Sequence, residues 1–367
     1  MTSSIYDRWA DVLVDYCTGV REDDKVAILG GVAAEPLLRA THRAALRKGA
    51  EVLLLPSFSE SQADVLHHAS EVQLGNVSDL ERWIRETATV SITVMASTNT
   101  RALTGVDRDR QTMFNRARAG LREIAMRRAA EGKQRWSLTI FPTSAYAQDA
   151  DMSTDEFAQF LAGAMFLDQS DPVASWRELS ARQQRLIDWL SQRSELHITG
   201  PGTDLRMNVG ARHWVNSDGK RNFPSGEVFT GPVEDSAEGH VHFSYPVVTD
   251  GREISDIRLR FESGKVVDAT ASKNEQYLID TLDTDEGSRR LGEIAFGTNF
   301  GITRFTKNIL LDEKIGGTMH MALGAGYPET GNSNTSAIHW DMICDLRAGG
   351  QATLDGEVVL KDGAYSV

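Results

Sequence analysis

Short apolar runs alternate with amphipathic helical segments in the first half of the chain. The spacing of apolar positions predicts a helix over 35–50 and a single long amphipathic helix over 109–132. Runs of β-branched and aliphatic residues that favour strands lie at 24–29, 51–57, 89–97 and 136–144. The alternation of strand and helix predicts an α/β fold with a parallel sheet and right-handed crossovers.

The pattern changes after about residue 193. Helical segments at 153–166 and 176–192 give way to short strands and turns, including two hairpins expected at Ser263-Gly264 and Asp355-Gly356. We therefore predict a parallel α/β domain followed by a strand-rich α+β domain that carries the functional site. The predicted bounds are 1–192 for the N-terminal domain and 193–367 for the C-terminal domain.

Composition and charge exclude several classes of partner. The 367 residues carry a formal charge of -13, which argues against nucleic-acid binding because phosphate contacts need an excess of Lys and Arg. No apolar run approaches the roughly 18 to 20 residues that span a bilayer, so we expect no membrane partner. The first residues lack the basic and apolar regions of a secretory signal, and we expect a cytoplasmic protein. The two cysteines form neither a disulfide framework nor a CxxC metal site.

Histidines concentrate towards the C-terminus, where one of them begins an HxD unit. If the segment is extended, His339 and Asp341 point to the same side of the strand and both reach one metal ion. Imidazole nitrogen and carboxylate oxygen together suit zinc, cobalt, manganese or ferrous iron. On its own, the pair is also compatible with ordinary surface or core residues.

Two glutamates stand in apolar surroundings. Glu227 lies in NFPSGEVFTGP, at an expected strand start, and Glu293 lies in RRLGEIAFGTN beside a glycine. Burial of a lone carboxylate is costly unless it is paired. Each glutamate therefore predicts either a metal ion or a structural partner such as an arginine.

Four blocks occur in a characteristic order: PSGEVFTGP, LGEIAFGTN, LLDEKIGGTMHMALGAGYP and NSNTSAIHWDM. This order, which covers roughly residues 205–345, resembles the metallopeptidase family typified by thermophilic aminopeptidase T and aminopeptidase S. The resemblance implies an aminopeptidase that uses two divalent metal ions, zinc, cobalt or manganese, to release N-terminal residues from short peptides. It also implies a homodimer.

Site residues follow from the resemblance position by position. The resemblance places Tyr327 beside the metals, where it could donate a hydrogen bond to the oxyanion. Hydrolysis also needs a general base, for which Glu293 or Glu227 is the candidate if it is not fully engaged as a ligand. Glu313 matches a family acid without a firm role, and His240 and His242 fall outside the ligand set, as strand-face residues. The implied metal ligands are Glu227, Glu293, His320, His339 and Asp341.

A second reaction class remains open. Related members of this fold look like mononuclear Fe(II) ring-cleaving dioxygenases that act on small dihydroxypyridine-type substrates and need two histidines and one carboxylate. His320, His339 and Asp341 could supply that set. Retention of an acid at Glu293, where a dioxygenase would be expected to have histidine, favours hydrolysis. A third interpretation is a scaffold that keeps the fold and has lost turnover.

Overall fold

The computed structural model describes residues 4–249 and 252–367, and the chain divides into two units. The first unit runs to Val173 and includes Gly219–Pro224, and the second comprises Ala174–Asp218 and Ser225–Val367. The helix expected over 176–192 thus lies in the second unit, whereas the sequence analysis placed it in the first domain. The domain boundary after residue 192 stays a prediction.

The helices have the following bounds in chain order: α1 Ile5–Asp11, α2 Glu35–Arg47, α3 Ser61–His68, α4 Glu71–Leu74, α5 Asp79–Glu86, α6 Arg108–Ala117, α7 Ala119–Ala130, α8 Ser144–Asp149, α9 Thr154–Ala164, α10 Pro172–Leu190, α11 Glu275–Leu282 and α12 Ile309–Asp312. A π-helical segment spans Val12–Cys17, and 3-10 segments span Val32–Ala34, Glu286–Arg289 and Pro328–Thr330.

The strands have the following bounds: β1 Lys25–Gly31, β2 Glu51–Ser57, β3 Val90–Met95, β4 Arg135–Ile140, β5 Glu195–Gly200, β6 Thr203–Asn208, β7 Val215–Ser217, β8 Asn222–Phe223, β9 Glu227–Thr230, β10 Glu238–Phe243, β11 Val247–Thr249, β12 Arg252–Ile254, β13 Ile257–Glu262, β14 Lys265–Thr270, β15 Leu291–Gly297, β16 Met319–Gly324, β17 His339–Cys344, β18 Gln351–Leu354, β19 Glu357–Lys361 and β20 Ala364–Tyr365.

A parallel sheet forms the centre of the first unit. Its strand order is β2-β1-β3-β4-β8, and every neighbouring pair is parallel. The apolar runs of β1 and β3 are buried because helices cover the faces of such a sheet. The predicted α/β class is confirmed, together with the four strands that the sequence indicated.

The long helix expected over 109–132 is interrupted. It forms two helices, α6 and α7, which are separated at Arg118. The Arg118 guanidinium donates to the Phe114 carbonyl and forms an ion pair with Glu81, with Nε 2.7 Å from Oε1. The prediction of one continuous helix is therefore wrong at Arg118. At this residue the chain forms a turn, and its side chain contacts Glu81 of the neighbouring helix α5.

The second unit contains two antiparallel sheets. One has the order β14-β13-β10-β6-β5-β18-β19-β20 and the other the order β17-β16-β15-β9-β7, and β11 pairs with β12. Both predicted hairpins are present, and their turns at Ser263-Gly264 and Asp355-Gly356 have positive φ at both residues, as a type I′ turn requires. Of the described helices, none is long and apolar enough to cross a membrane.

Alternation along β9, β15, β16 and β17 separates an apolar face from a polar one. One set of alternate residues joins a buried cluster with the eight-stranded sheet and α10; it includes Val228, Ile294, Phe296, Met319, Met321, Leu323, Trp340, Met342 and Cys344. The other set carries the acids and histidines. The hydrophobic core therefore fixes which face the polar side chains occupy, because a slip of one residue would exchange the two sets.

A bulge beside Glu293 depends on a glycine. The register between β15 and β16 shifts between Leu291 and Glu293, and a Cβ on Gly292 would lie 2.5 Å from the carbonyl oxygen of Gly324. No side chain fits against that backbone. Gly292 thus allows β15 to approach the end of β16 just before the glutamate.

We expect Gly292→Ala to lower the free energy of unfolding by about 1–3 kcal/mol, because the added methyl group must displace backbone atoms. Gly200→Ala is the matched control in the same unit, where a Cβ would meet neighbours only at 3.5 Å or more. Thermal and urea unfolding of both variants measure the difference. Equal stability of the two variants would contradict the packing described at Gly292.

Candidate metal centre

Four adjacent strands bring the predicted ligands to one face of the five-stranded sheet. Glu293 on β15 pairs with Ala322 on β16, which pairs with Asp341 on β17. His320 on β16 pairs with Ala295 on β15, and Glu227 begins β9. Directly paired residues share a face, so these side chains all project to the side opposite the apolar core. Residues separated by more than a hundred positions in sequence are therefore neighbours.

The side chains meet at short distances. His320 Nε2 lies 3.2 Å from Glu293 Oε1, 3.7 Å from Glu227 Oε2 and 4.0 Å from Asp341 Oδ1. His339 Nε2 lies 3.2 Å from Glu293 Oε2 and 3.4 Å from Asp341 Oδ1. All five predicted ligand residues are thus gathered in one cluster.

Backbone carbonyls fix the orientation of both histidine rings. His320 Nδ1 lies 2.9 Å from the carbonyl oxygen of Glu313, and His339 Nδ1 lies 2.8 Å from that of Ala325. A carbonyl can only accept a hydrogen bond, so each Nδ1 carries the proton and donates. This leaves each Nε2 directed at the carboxylates, which is the arrangement that metal-binding histidines normally have.

Burial and the neighbouring charges shift the pKa values of the acids and histidines in opposite directions. Burial alone would lower the pKa of the histidines, but the surrounding carboxylates raise the pKa of His320 to about 10 and that of His339 to about 11. Conversely, burial would raise the pKa of Glu293 and Asp341, but their contacts with the histidines hold it below its usual range. The acids are therefore anionic and need positive charge nearby.

Two buried carboxylate oxygens have no hydrogen-bond partner in the structure: Glu227 Oε2 and Asp341 Oδ1. Three groups of possible ligand atoms lie close together, each within 4.8 Å: Glu227, Glu293 and His320; Glu293, His339 and Asp341; and Glu313, His320 and Asp341. An unpartnered buried carboxylate oxygen is costly. The nitrogen and oxygen donors fit a divalent metal of the zinc, manganese or cobalt type, which would satisfy both oxygens.

Glu227 is held from two sides. Gln183 on α10 donates from Nε2 to the Glu227 carbonyl oxygen at 2.6 Å. Gly226 has φ +123°, and a Cβ there would lie 2.6 Å from Asn299 Cβ, so the turn into β9 requires glycine. The side chain of Glu227 therefore enters the cluster from a fixed strand start.

Sequence analysis missed Lys314. Its side chain is fully buried, its Nζ lies 3.5 Å from Glu227 Oε1, and it also contacts Glu313 Oε1. Burial would lower the pKa of this amine, but Glu227 and Glu313 raise it above its usual range. Lys314 is therefore a permanent cation in the cluster. The sequence did contain a signal for this role: Lys314 directly follows Glu313 and lies shortly before a buried strand, where a charged side chain needs a partner of opposite charge.

The loop over 325–338 connects β16 to β17 and is tied down by small polar residues. Asn332 Nδ2 donates to the Pro232 carbonyl at 2.8 Å, and Asn334 Nδ2 donates to the Gly287 carbonyl at 2.9 Å. Ser333 donates to Glu234, which pairs with Arg212. Because the loop is held, the Ala325 carbonyl can orient His339.

Tyr327 lies beside the cluster at the edge of this loop. Its ring meets that of His339 edge-on at 5.1 Å and that of Phe229 at 5.5 Å. Burial, together with the charges of Glu293 and Asp341, raises its pKa above the usual range. The phenol therefore stays protonated and can donate a hydrogen bond.

His240 and His242 lie elsewhere. Both stand on β10 in the eight-stranded sheet, where His242 Nε2 contacts Asp256. Neither belongs to the three groups of possible metal ligands found among the described residues. This position agrees with their interpretation as strand-face residues.

Comparison with known proteins identifies the family. The model of a family described as thermophilic metalloprotease (M29) matches residues 2–365. The chain belongs to the M29 family. The match extends over both units and confirms the resemblance that the four sequence blocks indicated.

Relatives of the chain are named as aminopeptidases. The chain is 30% identical to aminopeptidase 2 of Geobacillus stearothermophilus, over 97% of this chain and 94% of the relative. It is 29% identical to aminopeptidase T of Thermus thermophilus, over 73% and 72%. The solved structure of the Thermus thermophilus enzyme AmpT has a TM-score of 0.85 and 25% identity, covering 99% of both chains. The expectation of a metal-dependent aminopeptidase is thereby confirmed.

A dioxygenase shares the fold more distantly. The structure of 2,5-dihydroxypyridine dioxygenase from Pseudomonas putida KT2440 has a TM-score of 0.63 and 17% identity, covering 99% of this chain and 97% of the other. At this identity the likeness concerns the fold alone.

We expect Lys314→Met to destabilise the metal-free protein by about 3–5 kcal/mol, because it leaves buried carboxylates without their cation. A second change, Glu313→Gln, should recover only a small part of the loss, because burial raises the pKa of this acid to about 8 and it can lose its charge by protonation. Urea unfolding in the presence of a chelator measures both variants, and Lys361→Met, at an exposed position of β19, is the control. A stable Lys314→Met protein would rule out this role of the lysine.

Proposed function

We propose that the chain is a dinuclear metallo-aminopeptidase that releases N-terminal residues from short peptides. The observation that carries the proposal is the placement of Glu293 between the two histidines. One carboxylate oxygen faces His320 Nε2 and the other faces His339 Nε2, each at 3.2 Å. A carboxylate that presents one oxygen to each of two ligand groups is suited to bridge two ions.

The proposed ligand groups share this glutamate. Glu227, Glu293 and His320 form the first group, and Glu293, His339 and Asp341 form the second. Zinc, cobalt or manganese suits these nitrogen and oxygen donors. Bound at these groups, the ions would polarise the scissile carbonyl and lower the pKa of a bound water to about 7.

Glu293 is the proposed general base. It is ionised, and when one of its oxygens is not engaged by an ion, that oxygen can accept the proton of the attacking water. Glu227 is less suited to this role, because its carboxylate is paired with the buried Lys314, whose Nζ lies 3.5 Å away.

Tyr327 is the proposed oxyanion donor. Its raised pKa keeps the phenolic proton in place at neutral pH, and its ring packs against His339 at the edge of the cluster. A protonated donor beside the reacting carbonyl stabilises the charge that develops on oxygen during attack.

Other expectations from the sequence accompany this proposal. The homodimer, the cytoplasmic location and the choice among zinc, cobalt and manganese stay predictions. A short peptide remains the proposed substrate because the aminopeptidase relatives share most of the length of this chain.

We expect Glu293→Gln to reduce kcat for an aminoacyl-anilide by about 10²–10⁴-fold, because the amide can neither accept the proton nor bridge as an anion. Glu262→Gln, which changes an exposed glutamate on β13, should leave the rate unchanged. Circular dichroism and thermal unfolding of both variants establish that the fold is intact. Normal turnover by Glu293→Gln would remove this residue from the mechanism.

The ring-cleaving alternative rests on a specific set of side chains. Asp341 Oδ1 lies 3.4 Å from His339 Nε2 and 4.0 Å from His320 Nε2, a two-histidine, one-carboxylate set. Glu227 and Glu293 add two acids to that set, which favours hydrolysis. Loading with ferrous iron under anaerobic conditions, followed by a dihydroxypyridine and oxygen, should give no oxygen uptake. Uptake with ring cleavage would overturn the proposed aminopeptidase.

A further inference from the structure

A cavity adjoins the metal cluster along the edge strand β17. Its volume is about 160 Å³, and His339 and Asp341 form part of its wall. Ile343 follows on the same face of the strand, since residues 339, 341 and 343 alternate with the core residues. The cavity therefore begins where the cluster ends. In an N-terminal residue the side chain lies one bond from the α-carbon that carries both the amino group and the scissile carbonyl.

Apolar side chains from separate elements line this cavity. They are Val247 and Val248 of β11, Phe305, Ile309 of α12, Trp340 and Ile343. The indole of Trp340 is fixed, because its Nε1 donates to Thr249 Oγ1 at 3.0 Å. The wall is therefore largely apolar and partly rigid. Such a wall favours an apolar substrate side chain, because burying apolar surface away from water is favourable.

The charged residues of the wall do not favour a cationic side chain. Of the acids that line the described cavity, Asp341 belongs to the metal cluster, and Asp312 accepts two hydrogen bonds from Thr306, at 2.7 Å and 2.8 Å. Lys307 also lines the cavity and would repel an arginine or lysine side chain. No described acid of the wall is left uncommitted to pair with a basic substrate residue.

The size of the cavity limits the side chain. A closed apolar cavity of about 150 Å³ holds one benzene molecule. A volume of about 160 Å³ therefore matches leucine, isoleucine, methionine or a phenyl ring, whereas an indole would extend out through the open side of the cavity. An alanine side chain would leave most of the apolar wall without contacts.

We propose that this cavity binds the side chain of the N-terminal residue and selects peptides that begin with a medium-sized apolar residue, namely leucine, isoleucine, methionine or phenylalanine. The inference rests on the proposed aminopeptidase function and specifies its substrate class. Val248 and Ile309 are the residues that determine the size of the accepted side chain, because they lie on β11 and α12 rather than among the ligand strands.

Steady-state kinetics with the metal-loaded protein test the selection. The probes are the p-nitroanilides of alanine, leucine, methionine, phenylalanine, tryptophan, arginine and glutamate. We expect kcat/KM for leucine and methionine to exceed that for alanine, tryptophan, arginine and glutamate by about tenfold or more, the range that one or two methylene groups contribute in an apolar pocket.

Two substitutions should change the preference in opposite directions. Val248→Phe fills the cavity and should lower the ratio of kcat/KM for leucine over alanine about tenfold, whereas Ile309→Ala enlarges it and should raise the ratio for phenylalanine over leucine. Ile309 is 44% exposed, so its truncation should leave the fold intact. Val267→Phe, at an exposed valine of β14, is the matched control and should change neither ratio.

A binding measurement complements the rates. L-leucinol should raise the unfolding temperature of the metal-loaded protein more than L-alaninol or L-argininol, and Val248→Phe should abolish the difference. Cleavage with a preference for alanine or for charged residues, or ratios unchanged in Val248→Phe, would overturn the inference while leaving the aminopeptidase intact. Absence of hydrolysis with every anilide would overturn the proposed function and the inference together.

Discussion

The attraction between buried carboxylates and the cations beside them is the interaction on which the rest of the site depends. Glu227, Glu293 and Asp341 share one face of a sheet whose other face is hydrophobic core, so they cannot escape to water without breaking that core. Two histidines and Lys314 supply positive charge within about 4 Å of them. Divalent ions would displace a proton from each histidine and supply the charge and the coordination that two unpartnered oxygens lack.

The backbone positions both the acids and the histidines of the cluster. The strand order β17-β16-β15-β9 determines which residues meet, and small residues such as Ala295 and Ala322 stand between the large polar ones. Carbonyls of Glu313 and Ala325 then orient the histidines. The acids are held by pairing of their strands and the rings by hydrogen bonds, so the cluster is organised largely by the backbone. Beside it, β17 leaves an apolar cavity at the edge of the sheet.

Much of this arrangement could be predicted from the sequence, for identifiable reasons. The strands of the first unit and the hairpins at Ser263-Gly264 and Asp355-Gly356 depend on local pattern and turn chemistry, and both were predicted correctly. The pairing of His339 with Asp341 on one strand face followed from a period of two. The convergence of Glu227, Glu293 and His320 rested on family resemblance, because pairing between strands distant in sequence leaves no local signal.

Other features depend on tertiary contacts that a linear pattern does not contain. Lys314 was missed because a lysine in a polar turn normally faces water, and only the neighbouring carboxylates make its burial tolerable. The break at Arg118 depends on a glutamate from another helix. The orientation of the histidine rings depends on carbonyls whose positions are set by the folded loops.

The position and number of bound metal ions test the central claim most directly. Crystals of the protein grown with manganese or cobalt, measured at the absorption edge of the metal, locate each ion by anomalous scattering. The account predicts two peaks in each chain, one beside His320 and one beside His339, with the Glu293 carboxylate between them. A single peak held by His320, His339 and Asp341, with Glu227 and Glu293 uncoordinated, would contradict it.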